Sequence, residues 1–252
     1  MAIAFIRRPI LICYSILSVV SSVSRIHAQT PDKDSLAILT GYAAAITFYH
    51  HSLMPETRLF RGGEYAEYAY AIHIGHPFFD IDHMQKGSVY YDGLHYDDIL
   101  LIYDLVRGQV VINDPYNAYK IALLNDRLDT FTIGSHLFIH LRDSANGPGP
   151  GFYELLYEGK KVRMLKREWK TIQEDPSATT ADSKEYINHS VSYYLRIANR
   201  NYIVNSKRSL LRAMKDKRAA VRKFIRGLGP DLQTDKDQVF ARAAAWYDRN
   251  TQ

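Results

Sequence analysis

Cysteine is almost missing from these 252 residues: Cys13 is the only one. It lies inside an apolar N-terminal stretch, and Ile12 stands before it where a lipid-anchored cysteine needs a small neighbour. Once that stretch is removed the chain holds no thiol, which excludes disulfides, thiolate zinc sites and cysteine nucleophiles. Long apolar runs are missing too. The N-terminal one, residues 9–23, falls short of the roughly 20 residues that a bilayer-spanning helix needs. There is no Gly-x-Ser-x-Gly elbow, no helical His-Glu-x-x-His frame and no phosphate-binding glycine loop. Gly147, Gly149 and Gly151 alternate with Pro148 and Pro150, which carry no amide donor. The chain is 46% hydrophobic and 23% charged, which excludes wholesale disorder and a polytopic membrane protein. It is long enough to bury a large core without staples.

What stands at the N-terminus is ordered like an export signal. Arg7 and Arg8 precede the apolar run with no acidic residue near them, and Ala28 closes it before the polar Gln29. A basic leader, a short apolar core and a small last residue describe a secretory signal peptide. Residues 1–28 are therefore expected to be cleaved, although Ile26 is bulkier than such sites prefer. Export without disulfides suits a periplasmic or outer-envelope address in a bacterium.

Residues 29–252 read as a single α+β domain. Leu36, Leu39, Ala43, Ile46 and Phe48 recur at helical spacing between a capping Ser35 and Pro55, which predicts an N-terminal helix. An irregular aromatic connection continues to residue 86, with Tyr65, Tyr68 and Tyr70 expected in one short strand. Over 87–204 the period becomes two. Ile99, Leu101, Tyr103 and Leu105 alternate with Leu100, Ile102 and Asp104, and short runs follow at 110–112, 119–123, 128–133 and 136–141. Runs at 152–157 and 161–169 flank the turn Glu158-Gly159-Lys160, and 186–197 and 201–204 end the series. Strands so close leave no room for helical crossovers, so a large, mostly antiparallel sheet is expected, as a sandwich or an incomplete barrel. Residues 205–252 return to helix. Ser206 can cap a helix whose Leu210, Leu211, Met214, Val221 and Ile225 share a face, and Gly227 with Gly229-Pro230 ends it. Thr234-Asp235-Lys236-Asp237 resembles a capping box for a second helix through Trp246 and Tyr247.

Several of these motifs occur together in a fixed order: Gly75-His76-Pro77-Phe78-Phe79, Gly87-Ser88-Val89-Tyr90-Tyr91-Asp92-Gly93 and Leu101-Ile102-Tyr103-Asp104-Leu105. Gly151-Phe152-Tyr153-Glu154-Leu155-Leu156-Tyr157-Glu158-Gly159 and the basic Lys166-Arg167-Glu168-Trp169-Lys170 follow. The set resembles a family of uncharacterised exported bacterial envelope proteins. That resemblance implies an envelope address and, because the family has no established activity, no catalytic residue.

Three constellations could carry chemistry. His73, His76, Asp80, Asp82 and His83, with His95, Asp97 and Asp98 nearby, offer imidazole and carboxylate ligands, and His76, Asp80 and His83 are close enough in sequence to converge on a divalent ion. Asx turns explain the same residues without a metal. Asp92, Asp97, Asp98 and Asp104 could supply an acid–base pair. The 19 tyrosines, many in or beside strands, suit a pleated surface with one wet side or an aromatic ligand platform. Charge is unevenly spread: residues 29–158 carry 8 basic and 17 acidic side chains, and 159–252 carry 21 and 10. Lys207, Arg208, Arg212, Lys215, Arg218 and Arg222 crowd the first C-terminal helix, as a solvated outer face or a surface for anionic membrane or an acidic partner. No nucleic-acid-reading motif appears. The expected function is therefore a non-enzymatic, cofactor-free envelope protein that binds a protein partner or an apolar or lipid ligand, for example as a lipid carrier with a half-open barrel. The alternative is a metal-assisted hydrolase built on residues 76–95.

Overall fold

The computed structural model describes residues 58–251 apart from 70–71, 115, 117, 143–147, 175–184 and 199. The expected signal peptide, Cys13 and the expected helix after Ser35 lie outside the described residues.

Period-two patterning becomes one twelve-stranded sheet. Its centre is a hairpin of β3 (Gln85–Tyr91) and β4 (Leu94–Asp104). Asp92 and Gly93 turn it at φ 52° and 79°, the two left-handed positions that a tight hairpin turn of matching twist requires. β5 (Gln109–Asn113), β6 (Lys120–Ala122) and the two-residue β1 (Gly63–Glu64) extend the sheet beyond β4. On the other side β3 pairs with β7 (Leu128–Ile133), then come β8 (His136–Leu141), β9 (Gly151–Glu158), β10 (Val162–Glu174), β11 (Glu185–Ile197) and β12 (Arg200–Ile203). Among the described pairings all are antiparallel except β2 (Ile72–Ile74) against β11. The α+β class and the antiparallel sheet agree with the sequence reading. Of the strand expected at Tyr65, Tyr68 and Tyr70, Tyr70 lies outside the described residues; β1 stops at Glu64, and the Tyr65 and Tyr68 phenols turn inward to a carboxylate instead.

The sheet curls strongly. β4 and β9 are separated by β3, β7 and β8, about 19 Å if the sheet were flat. Yet the Tyr103 and Phe152 rings lie 5.9 Å apart, and Lys170 N on β10 donates to Leu105 O just after β4 at 3.1 Å. The concave face is filled by rings. Phe131 and Phe138, cross-strand partners, stack at 4.6 Å, with Phe79, Tyr103 and Phe152 edge-on around them. Gly87 permits the tight pairing of β3 and β7, because a Cβ there would sit 1.9 Å from Thr132 O.

Helices cover β9 to β11 on the face that carries Glu154, Lys166 and Tyr193. α1 (Lys207–Ala213), a 3-10 turn at Lys215–Lys217 and α2 (Arg218–Arg226) replace the single helix expected there. Met214 leaves helical dihedrals (φ −96°, ψ 44°), and Asp216 in the turn accepts from Tyr247 Oη at 2.9 Å. Gly229-Pro230, expected only to end a helix, opens the short α3 (Pro230–Thr234), because Pro at a first helical position has its missing N–H and fixed φ already suited to a helix start. α4 (Lys236–Asn250) begins one residue later than the box at Thr234 implies, with Asp235 as its N-cap. Leu210, Met214, Val221, Ile225, Val239, Phe240, Ala243 and Ala244 pack there on Val162, Met164, Tyr193 and Leu195 as a second core.

Candidate functional site

The histidine–carboxylate segment folds into pairs, not one cluster. Asp82 and His83 meet at 3.3 Å, His95 and Asp97 at 3.2 Å, and both pairs are exposed. Asp80 holds a left-handed turn position at φ 56°. His76 stacks near Phe78, with ring centroids 6.4 Å apart. Its Nδ1 is buried with no hydrogen-bond partner among the described residues. Among the described residues no group of three or more His, Cys, Asp or Glu is arranged to hold a metal ion. Of the carboxylates Asp92, Asp97, Asp98 and Asp104, only Asp104 is buried.

Asp104 organises one end of the curled sheet. Its Oδ2 accepts from Tyr65 and Tyr68 hydroxyls at 2.8 Å each, and its Oδ1 accepts from the Val106 and Arg107 amides at 2.8 and 2.9 Å. Burial first, then hydrogen bonding to this carboxylate, pushes both phenols well above the usual tyrosine range, so they remain donors. Arg107 lies over the Tyr65 and Tyr68 rings at 4.8 and 4.2 Å and donates to Ala66 O at 2.5 Å. The turn carrying Val106 and Arg107 is thereby locked as a ridge between two clefts. One, of about 400 Å³, is lined by Tyr103, Arg107, Asn125, Arg167, Trp169 and Tyr194 among others. The second, of about 570 Å³, is lined by Glu67, Tyr68, Arg107, Lys170 and Ile172. Lys170 Nζ donates to the His76 and Phe78 carbonyls at 2.9 and 2.5 Å, and burial lowers its proton affinity.

A charged network lies at the start of α4. Lys166 Nζ contacts Asp237 at 2.7 Å, Glu154 at 3.2 Å, and Glu168. His136 caps Glu154 at 2.5 Å, His189 caps Glu168 at 2.7 Å, and Tyr193 Oη donates to Asp237 at 2.5 Å. Burial opposes the charge on Lys166, but hydrogen bonds to Asp237 and Glu168 and the nearby Glu154 outweigh it and raise its pKa well above the lysine range. Lys166 is thus a fixed cation among three carboxylates. Sequence reading missed this network and the Arg167 cleft. The available signal was three successive charges, Lys166, Arg167 and Glu168, on a strand with apolar neighbours, which places charge on both faces of a central strand.

A run of cations lies along α1, the 3-10 turn and α2. Residues 207–226 hold nine Lys and Arg against a single Asp, net +8. Lys207, Arg208, Arg212, Lys215, Arg218, Arg222, Lys223 and Arg226 are all exposed. No ion pair engages these eight among the described residues, and Lys207 donates to Gln233 O at 3.2 Å. The apolar stripe beneath them is consumed by the second core. Among the described residues no helix is long and apolar enough to cross a membrane. No family model matches the chain, and no curated protein or solved structure matches it significantly.

Proposed function

We propose that the protein is an exported envelope protein that docks by electrostatics on an anionic membrane surface through α1 and α2. The observation that carries this reading is the split use of one amphipathic segment. Its apolar side faces the sheet, while eight cations are exposed without ion-pair partners among the described residues. A docked protein usually anchors on exposed aromatic or aliphatic side chains at the centre of its interface. None of the exposed large apolar residues lies on α1 to α4. A diffuse anionic surface needs no such anchor, and each Lys or Arg close to it contributes about 1 kcal/mol. Contact without insertion follows, because no apolar face remains to enter the lipid. The carrier form, with an acyl chain inside the sheet, is disfavoured by the rings that fill the concave face. The hydrolase alternative has no supporting geometry at residues 76–95 among the described residues.

Co-sedimentation of the mature protein with phosphatidylglycerol-containing vesicles tests the proposal. Binding is expected there and not to pure phosphatidylcholine vesicles. It should weaken strongly as the Debye length falls from about 10 Å at 0.1 M salt to about 3 Å at 1 M. The combined variant Arg212→Glu, Arg218→Glu and Arg222→Glu should abolish it. Equal binding to both vesicle types, or binding that survives this variant, would refute the reading.

A further inference from the structure

The smaller cleft beside Arg107 plays no part in membrane docking, and its wall has the composition of a ligand site. Its volume of about 400 Å³ lies within the roughly 300–1,000 Å³ of small-molecule sites. Arg167 and Trp169 both line it, and as residues i and i+2 of β10 they project from the same face. Tyr194, the cross-strand partner of Leu165, shares that face. Directly across from Arg167 and Trp169 stand Ser192 and Ser190, so small hydroxyl side chains flank the two large ones.

Arg167 is half-buried. Its guanidinium sits 5.4 Å over the Tyr153 ring and Nη1 donates to Tyr153 Oη at 3.2 Å. Among the described residues no carboxylate pairs with it, and the neighbouring Glu168 is engaged by Lys166 and His189. A guanidinium has five N–H donors in a planar fork that matches a carboxylate. Gly151 makes room for that fork: a Cβ there would lie 3.2 Å from Arg167 Nη2, and its φ of +134° suits glycine. Trp169 is 37% exposed although its strand lies inside the sheet. An indole held open beside an unpaired cation and a row of hydroxyls suits a ring with an apolar face, polar edges and a negative charge.

The geometry points to a binding site for an acidic saccharide of one or two rings, with a uronate carboxylate on Arg167 and a sugar face on Trp169. The chain has two tryptophans, Trp169 and Trp246, so a Trp246→Phe background leaves Trp169 as the only indole emitter. Digalacturonic acid titrated into that protein should give a saturable change in emission. Lactose, which is neutral, and the dipeptide Glu-Glu should each bind at least tenfold more weakly. Arg167→Met should weaken digalacturonate at least tenfold, and Arg167→Lys, which keeps charge and stem but loses the fork, should fall between. Thermal melts of both variants establish that they are folded. An absent response, lactose binding equal to digalacturonate, or unchanged affinity in a folded Arg167→Met protein would overturn the site. Glu-Glu binding as tightly as digalacturonate would overturn the saccharide assignment.

Discussion

His76 and His140 are held where a proton is costly. Burial, aided by the charge of Lys170 for the first and Arg142 for the second, lowers both below the ordinary value of 6.5. Nδ1 of each ring is buried without a hydrogen-bond partner among the described residues, and the His140 ring lies 4.6 Å from Phe152. The unfolded chain therefore binds protons near neutrality that the folded chain refuses. This contribution is fully present above the unfolded value and is lost as the pH falls below about 6.5. Urea midpoints should drop between about pH 7.5 and about pH 5, and Phe at position 140 should flatten that drop. An equally steep drop in His140→Phe would show that His140 is not a source. Such environments were not legible in the sequence. In sequence His76 stands as a ligand candidate and His140 falls inside the apolar run 136–141, while what buries them comes from residues distant in the chain. Asp104 shows the same limit: alternation placed it on a strand, but its four donors come from Tyr65, Tyr68, Val106 and Arg107.

Elements were most legible where a turn residue met a change of pattern. β7 and β8 occupy the expected 128–133 and 136–141, because Gly134 at φ 55° supplies the turn between two alternating runs. β10 runs on to Glu174, past the last apolar residue expected in it. Its thirteen pairings with β11 supply ladder hydrogen bonds whatever the side chains are. The helix expected from Ser206 is broken at Met214 since its neighbour α4, through Tyr247, takes hold of Asp216. The cap falls one residue beyond the Thr234 that the expected capping box implies: Asp235 accepts from the Asp237 and Gln238 amides at 3.0 and 3.1 Å, while Thr234 Oγ1 donates back to Asp231 O. Asp235→Ala should cost about 1 kcal/mol. Because α4 buries Val239, Phe240, Ala243 and Ala244 against the sheet, the loss should appear as a fall of about 2–4 °C in the global melting temperature. A separate, earlier unfolding of α4 alone would contradict that coupling.

For the whole molecule, the uneven charge along the chain resolves into two arrangements. Part is paired across the sheet–helix boundary: Lys166 from the basic half meets Glu154 from the acidic half, together with Glu168 and Asp237. Another part, eight exposed cations of residues 207–226, is displayed along α1, the 3-10 turn and α2. Removing Lys166 leaves three carboxylates at one poorly solvated boundary, so Lys166→Ala should cost about 3–5 kcal/mol. Lys166→Ala combined with Asp237→Asn and Glu168→Gln should recover much of it. Denaturant unfolding of the three proteins checks this, and a single variant as stable as the parent would show that the network is not a structural junction. The order of residues determined the α+β class, the antiparallel sheet and the basic C-terminal segment, because periodicity and turn chemistry act between near neighbours. Only the tertiary structure decided that the sheet curls until its concave face is full, that the apolar stripe of α1 and α2 is buried, and that Arg167 stands beside Trp169 in an open cleft. Those outcomes depend on which distant surfaces meet, and burial, desolvation and charge pairing are properties of the meeting.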